Sequence, residues 1–374
     1  MEKELSIELF DHQGDFQFLS KGIFDNFKSC IVTWKAYSYN TFQLTVPLVP
    51  YYFPFFKADN VLSIADCYFY IDVMDYDGAQ SNILTVSGKS LLGKASKRII
   101  NPPYSTNSAK PEAIIYDLIN KTLISTTADK AISYLSIKVP PDFGGQALAY
   151  QNSYGTPSDE INSLADSHQI CLREVQADLQ NPKQEVQFYQ GRDLSGEGGV
   201  EFGLKDEGLK SESLTRDISD KATVAYVFGE GEGTKRKMVM VSRLPTGKPN
   251  GLDVCEIYVD ARDLQQSYTD DSGKAVTLTD EQYLAQLTQR GNQALDEHSE
   301  KIQLNGEVNF NNLNFVYGKD YEVGDTVRVT SQLFGISKSS VLTAMQETWD
   351  DTGYHLDPTF DKDRVTLIQK IQRK

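Results

Sequence analysis

The residues best suited to metal binding or general base catalysis are few in this sequence and lie far apart. The histidines are His12, His168, His298 and His355, and the cysteines are Cys30, Cys67, Cys171 and Cys255. No two of them have the HxxH, HExxH or CxxC spacing that brings two ligands to one metal ion. The cysteine spacing predicts buried, reduced thiols rather than a zinc site or a disulfide framework. The sequence therefore predicts no metal site and no cofactor.

A glycine and glutamate run in "TVAYVFGEGEGTKRKMVMV", residues 223–241, could in principle cradle a phosphate with its backbone N–H groups. A phosphate loop opens a helix, whereas "KRKMVMV" alternates as a strand does. The carboxylates of Glu230 and Glu232 would also repel a phosphate at close range. The run therefore indicates a hairpin or bulge connection in which glycines supply positive φ angles.

Paired carboxylates could hydrolyse a glycosidic bond, and Asp260 and Asp263 in "YVDARD" are one such pair. With 52 acidic side chains in the chain, however, some pairs at that spacing arise by chance. An ion pair of Arg262 with its neighbours explains the same motif, and we favour it. There is no GxSxG elbow, Walker lysine or GxGxxG opening a helix, so we predict no catalytic residue.

The negative net charge of the chain argues against electrostatic binding to nucleic acid or anionic lipid. The 374 residues carry 37 basic and 52 acidic side chains, a formal charge of -15. The N-terminal "MEKELSIELF" has no basic region followed by an apolar run, so we expect no secretory signal. The apolar stretch at 46–62 contains three prolines and two charges, which is wrong for a spanning helix and fits a loop packed on a sheet.

Most of the chain alternates as β-strands, and helices are few. Residues 30–48 and 67–90 are rich in β-branched and aromatic residues, and "DYDGAQ" predicts a turn between strands. Helical periodicity predicts a short helix or turn at 90–100 and helices at 110–124 and 280–302. A further helix, capped by Ser158, is predicted to run into a strand that ends near residue 175.

The 280–302 helix should bury Tyr283, Leu284, Leu287 and Leu295. Gly291 is the one residue in this stretch that disfavours a helix. In "FVYGKDYEVGDTVRV", we expect Tyr321 and Val323 to point into a β-barrel. Gly324 and Asp325 should form the tight turn before the strand that carries Val327 and Val329, because a Gly-Asp pair supplies turn geometry at low steric cost.

Eight segments in a fixed order resemble a known family. They are "FQLTVPL", "LTVSGKSLLGKASKRII", "VQFYQGRDLS", "ATVAYVFGEGEGTKR", "LDVCEIYVDARDL", "YLAQLTQRGNQAL", "YGKDYEVGDTVRV" and "LDPTF". Their order and spacing, over roughly residues 30 to 360, are similar to the hub proteins at the tail tip of long-tailed phages and prophages. These hubs are the N-terminal modules of tail-associated proteins and are related in fold to the baseplate hubs of contractile phages.

The resemblance implies a fold that is mainly β with α+β insertions. It implies two β-barrel-like tube domains, at 1–105 and at 185–215 with 305–374, and two smaller peripheral α+β domains, at 106–184 and 216–304. Three chains would then form a pseudo-hexameric ring that matches the sixfold tail tube.

The resemblance also implies partners and a location. The expected partners are two further copies in a homotrimer, the distal tail protein, the tape measure, and receptor-binding or lysin components. DNA would pass through the lumen without specific binding. We expect a structural, non-enzymatic protein that is made in the bacterial host cytoplasm and sits at the virion tail tip. Many relatives continue into a peptidoglycan hydrolase, and this chain stops at Lys374, so no lysin activity is carried over. A carbohydrate-active hydrolase and a carbohydrate-binding module remain as alternatives.

Overall fold

A computed structural model describes most of the chain. The described residues are 5–12, 18–49, 53–76, 82–152, 154–178, 183–204, 208–211, 213–233, 236–244, 251–262, 264–269, 275–308 and 315–360. Contacts divide the chain into two compact units, of which the first joins Met1–Ser213 to Leu304–Lys374 and the second is Leu214–Gln303. Both consist mainly of strands, which confirms the expected fold class at this level.

The elements follow one another in chain order. The chain begins with strands β1 (Ile7–His12), β2 (Phe18–Phe24), β3 (Ser29–Lys35), β4 (Thr41–Pro47), β5 (Val61–Ile64), β6 (Cys67–Tyr76), β7 (Ile83–Ser90) and β8 (Tyr104–Ala109). It continues with helix α1 (Pro111–Ile119), β9 (Leu135–Ile137), β10 (Leu148–Asn152), helix α2 (Pro157–His168), β11 (Cys171–Asp178), β12 (Lys183–Tyr189) and β13 (Glu201–Phe202). The second part holds β14 (Ser213–Asp217), β15 (Val224–Phe228), β16 (Met238–Ser242), β17 (Glu256–Asp260), β18 (Ser267–Thr269), β19 (Ala275–Thr277), helix α3 (Asp280–Glu297) and β20 (Lys301–Asn305). The chain returns to its first unit with β21 (Thr326–Ser331), β22 (Ile336–Asp350) and β23 (Gly353–Phe360). Short 3-10 helices lie at Phe53–Phe55, Leu91–Lys97 and Gly251–Asp253, and a π-helical turn at Asn120–Ile124 extends α1.

An eleven-stranded sheet dominates the first unit. Its strand order is β13-β21-β22-β3-β4-β7-β6-β5-β1-β2, and β23 also pairs with β22. The long strand β22 links the two parts of this sheet. Its first half pairs with β21, and its second half pairs with both β3 and β23. The beginning and the end of the chain therefore share one sheet.

The sheet is open rather than closed. Among the described strands, β13 and β2 stand at its two ends and do not pair with each other. The barrel closure expected for two separate tube domains is thus not seen in these residues, because β22 joins both segments edge to edge in one sheet.

Alternating side chains give this sheet two buried faces. Phe69 packs with Leu44 and Trp349 on one face, while its neighbour Tyr70 enters a second core on the other. Helix α1 adds to that second core its predicted stripe, Ile114, Ile115, Leu118 and Ile119. The predicted start of α2 was wrong by two positions: Thr156 is the N-cap, and Pro157 opens the helix with the φ angle that proline supplies without strain.

The proline-rich stretch at 46–62 does pack on the sheet in its described part. Phe56 is buried with its ring centroid 5.4 Å from that of Phe24, whereas Phe53 is 45 % exposed. The end of the predicted "DYDGAQ" turn lies outside the described residues.

In the second unit, α3 packs on the sheet β16-β15-β17. Tyr283, Leu287 and Leu295 are fully buried, but Leu284 is 39 % exposed, so its predicted burial was wrong. Gly291 has a packing role: a Cβ there would lie 2.6 Å from Val241 Cγ2, so only glycine lets the helix approach the sheet this closely.

Candidate functional site

The residues of the "GRD" and "GKDYEVGD" motifs meet in the first unit. Asp325 is fully buried and accepts hydrogen bonds from the backbone N–H of Arg192 at 2.7 Å and from its Nη2 at 2.6 Å. The backbone N–H of Glu322 donates to the same carboxylate at 3.0 Å. A buried carboxylate with three charge-assisted or backbone donors fixes the two segments to each other.

Two glycines allow this close approach. A Cβ at Gly191 would lie 1.7 Å from the carbonyl oxygen of Gly324, which is closer than any side chain permits. Gly324 itself has φ +97°, the region that glycine adopts freely. Tyr321 and Val323 are buried, as the sequence predicts, and Val327 and Val329 on the following strand are buried as well.

Beside this ion pair lies a cleft of about 540 Å³. Its lining includes both aromatic side chains and carboxylates, as that of a glycosidase or a sugar-binding groove would; they are Trp34, Tyr189, Tyr317, Asp66, Glu174, Glu322 and Glu347. Whether the carboxylates are available for chemistry depends on their hydrogen bonds.

Glu347, on β22, uses both carboxylate oxygens in hydrogen bonds within the fold. It is buried and accepts hydrogen bonds from the Nε1 of Trp34 at 2.8 Å and from the hydroxyl of Tyr354. The burial of Tyr354 and the negative charge of Glu347 raise the pKa of that hydroxyl, so it stays a donor. Both oxygens of Glu347 therefore serve to join β3, β22 and β23.

Glu322 is also paired. It forms an ion pair with Arg173, whose guanidinium lies 4.5 Å from the ring centroid of Tyr189. The hydroxyl of Tyr189 in turn donates to the carbonyl oxygen of Val323 at 2.6 Å. This chain of contacts ties β11 and β12 to the turn before β21.

Glu174, on β11, is a further buried carboxyl of the cleft. One oxygen accepts from the backbone N–H of Leu92 at 3.0 Å and from the Nε2 of Gln184 at 2.5 Å. Its other oxygen has no hydrogen-bond partner among the described residues. Burial raises the pKa of this carboxyl, since the charged form is poorly solvated there.

The histidines and cysteines singled out from the sequence are not brought together. His12, His168 and His355 lie on different elements, His298 follows α3, and the described residues contain no group of three metal-capable side chains. The cysteines are free thiols, three of them buried. Cys255 is only half-buried, because it precedes the edge strand β17, and the expectation of burial was wrong there.

The glycine run connects two antiparallel strands, β15 and β16, as predicted. Gly231 and Gly233 have positive φ angles, and the N–H of Glu230 donates to the hydroxyl of Tyr283 at 2.9 Å. That hydroxyl donates to the carbonyl oxygen of Leu264 at 2.8 Å, so α3 anchors the connection. The sequence gives no signal for this role of the tyrosine.

The "VDARD" motif forms the predicted ion pair. Arg262 Nη2 lies 2.6 Å from Asp260, and Arg236 adds a second contact to the same carboxylate at 3.0 Å. Asp263 lies outside the described residues. None of the helices in the described part of the chain is both long and apolar enough to cross a membrane.

A family model described as Siphovirus ReqiPepy6 Gp37-like protein matches residues 6–360. The chain belongs to this family of phage tail proteins. The resemblance first seen in the ordered motifs is thereby confirmed. No curated protein sequence matches the chain.

Solved structures of prophage tail proteins share the fold. The 43 kDa tail protein of prophage MuSo2 from Shewanella oneidensis has 12% identity and a TM-score of 0.59, with 96% of this chain and 98% of that chain covered. The tail protein from Neisseria meningitidis MC58 has 12% identity and a TM-score of 0.56, with 96% and 97% covered. The prophage tail protein gp18 from Listeria monocytogenes EGD-e has 10% identity and a TM-score of 0.51, with 98% of each chain covered. At these identities the likeness extends to the fold alone.

Proposed function

We propose that the protein is the hub at the tip of a phage or prophage tail, where three copies form a ring that closes or continues the tail tube. The observation that carries the proposal is the extent of the match. It covers 96% of this chain and 98% of the MuSo2 tail protein, so the likeness is to a whole tail protein rather than to one module.

The open sheet supports assembly into a ring. An open sheet leaves strand edges that a protein must pair, cover or protect. Closure into barrel-like tube walls would then be completed between copies. In this proposal residues 1–105 form one tube domain, and 185–215 with 305–374 form the second, which is consistent with the Arg192–Asp325 pair and with the pairing of β13 and β21. Residues 106–184 and 216–304 would be the peripheral domains.

A structural role fits the cleft better than hydrolysis does. Hydrolysis of a glycosidic bond needs one carboxyl to donate a proton and a second to act as base or nucleophile. The carboxylate oxygens of Glu347 instead accept hydrogen bonds within the fold, and Glu322 forms an ion pair there. These contacts favour the non-enzymatic hub over the carbohydrate-active alternatives.

In this role the ring would bind the distal tail protein and the tape measure and connect them to receptor-binding or lysin components. DNA would leave through the lumen. Three chains carry three times the charge of -15, or -45, and acidic groups facing the lumen would keep DNA from adhering.

Sedimentation over a concentration series tests the ring. Three chains of 41.9 kDa predict a species of about 126 kDa that grows with concentration. A species that stays at 41.9 kDa at every concentration, with or without the other tail proteins, would count against the hub and favour a monomeric enzyme or binding module.

A further inference from the structure

Another cavity of the first unit lies beside the end of α1. Its volume is about 510 Å³, within the range of about 300–1,000 Å³ that ligand sites occupy. Its lining comes from the segment that leads into β8, with Pro102 and Pro103, and from the end of α1 and the residues after it, with Asp117 and Thr122. None of its lining residues belongs to the cleft that Glu347 lines, so the two cavities are separate.

A π-helical turn forms part of this cavity. Helix α1 continues beyond Ile119 as a π-helical turn at Asn120–Ile124, and Lys121 and Thr122 in that turn line the cavity. Single π-helical turns are rare in proteins and are found frequently at functional sites. The turn is therefore an observation, independent of the cavity's volume, that points to a binding role.

Asp117 is the carboxylate of the cavity, and its position is fixed. The hydroxyl of Tyr104 donates to its Oδ2 at 2.9 Å, and Lys121 Nζ lies 3.3 Å from the same oxygen. The burial of Tyr104 and its hydrogen bond to Asp117 raise the pKa of the tyrosine hydroxyl, so this group remains a donor. Among the described residues both contacts of the carboxylate use Oδ2. Since the side chain of Asp117 is 36% exposed, its Oδ1 can accept hydrogen bonds from a ligand.

The other polar groups of the lining are neutral, apart from Lys121. The ammonium of Lys121 lies 4.4 Å from the ring centroid of Tyr104, and it has three N–H donors, so it keeps donors for a ligand. Amide and hydroxyl groups come from Asn101, Thr122, Ser125, Thr126 and Thr127. One carboxylate and one ammonium cancel, so the lining has no formal net charge.

This combination favours a neutral molecule that carries many hydroxyl groups. A carboxylate accepts from a hydroxyl, an ammonium donates to one, and an amide or a Ser or Thr hydroxyl can do either. Asp117 would repel a phosphate group at close range, and a purely apolar molecule would leave these polar groups without partners. Pro102 and Pro103 add apolar surface on which the C–H groups of a sugar ring can pack. A saccharide satisfies both parts of the lining.

We propose that this cavity binds a neutral saccharide, with Asp117 accepting hydrogen bonds from hydroxyl groups of the sugar and with Lys121 and Asn101 donating to them. Hydrolysis is not part of the proposal, because it needs two carboxyls and Asp117 is the one carboxyl in the described lining. The inference goes beyond the structural role of the hub and does not depend on the ring, since a single copy supplies all of these residues.

Methyl NMR of the full chain tests the site. The protein is labelled with ¹³C in the methyl groups of isoleucine, leucine and threonine, and it is titrated with the methyl glycosides of glucose, galactose, mannose and N-acetylglucosamine in turn. At least one of these sugars is expected to shift the signals of Ile100, Leu118 and Thr126, which line the cavity. The signal of Leu333, which is 78% exposed between β21 and β22, should stay unchanged. Glucose 6-phosphate should bind more weakly than methyl glucoside, because Asp117 repels its phosphate.

Three variants locate the binding. Asp117→Asn keeps an acceptor for Tyr104 and should weaken sugar binding about tenfold, because hydrogen bonds to charged groups are the stronger ones. Asn101→Ala, at an exposed position that leaves the Tyr104 contact intact, should weaken binding about threefold. Asp142→Asn is the matched control, since Asp142 also pairs with a lysine, Lys110, but lies outside the cavity, and binding should change less than about twofold.

The proposal is overturned if none of the four sugars shifts the cavity signals, or if the shifts lie elsewhere in the chain. It is also overturned if Asp117→Asn and Asn101→Ala both bind as the parent does, or if Asp142→Asn weakens binding as much as Asp117→Asn. A chain that sediments as a monomer and still binds sugar in this cavity would refute the ring while supporting the saccharide site.

Discussion

Replacing Gly324 by alanine should destabilise the first unit through two separable effects. The residue has φ +97°, and an L-residue in that region costs about 1–2 kcal/mol. A Cβ there would also lie 2.4 Å from the Sγ of Cys171, and overpacking of this kind costs about 1–3 kcal/mol. Since Cys171 is buried and its short side chain has little room to move, we expect a total loss of about 2–5 kcal/mol.

Gly318→Ala is the matched control. Gly318 has φ +81°, but nothing lies within 4 Å of the Cβ it would gain, so only the backbone cost of about 1–2 kcal/mol should appear. Urea denaturation of both variants measures the difference in the free energy of unfolding. Equal losses in the two variants, or a Gly324→Ala chain as stable as the parent, would show that the turn does not approach Cys171 as described.

Three further outcomes are expected. Tyr283→Phe removes a buried hydroxyl that serves both Glu230 and Leu264, so it should cost about 1–3 kcal/mol in thermal unfolding, whereas Tyr226→Phe, whose hydroxyl is exposed, should cost almost nothing. Burial raises the pKa of Glu174 above its ordinary 4.5, so the folded state binds this proton more tightly than the unfolded state does. This difference adds to the free energy of unfolding below pH 4.5. The added free energy is lost as the pH rises through the raised pKa of Glu174. Glu174→Gln should flatten that loss in a series of unfolding curves against pH, and a variant with an unchanged slope would contradict the assignment. The purified protein should not retard duplex DNA in a gel at physiological salt. Retardation would argue against a lumen whose acidic wall keeps DNA from adhering.

Local patterns explain why many elements could be predicted from the sequence. The spacing of Ile114, Ile115, Leu118 and Ile119 places one apolar stripe on a helix, and the alternation in "KRKMVMV" requires a strand rather than a phosphate loop. The turn at Gly324 follows from glycine's access to positive φ. Such features depend on residues that are close together in the chain, so they can be predicted from the sequence alone.

The remaining features depend on contacts between distant segments. Nothing local shows that β22 pairs with β3 across roughly 300 residues, so the sequence gives no sign that strands from both ends of the chain share one open sheet in the described residues. Leu284 fits a helical stripe by type, but its angular position on α3 leaves it exposed. The hydrogen bonds that commit Glu347 to Trp34 and Tyr354 likewise join positions that no sequence spacing connects.

Electron cryo-microscopy of the assembled tail tip tests the central claim most directly. The account predicts three copies of this chain in a closed ring coaxial with the tail tube, with acidic side chains enriched on the wall of the lumen. A tail tip in which this chain is absent from the axis, or is present as single copies bound outside the tube, would contradict it.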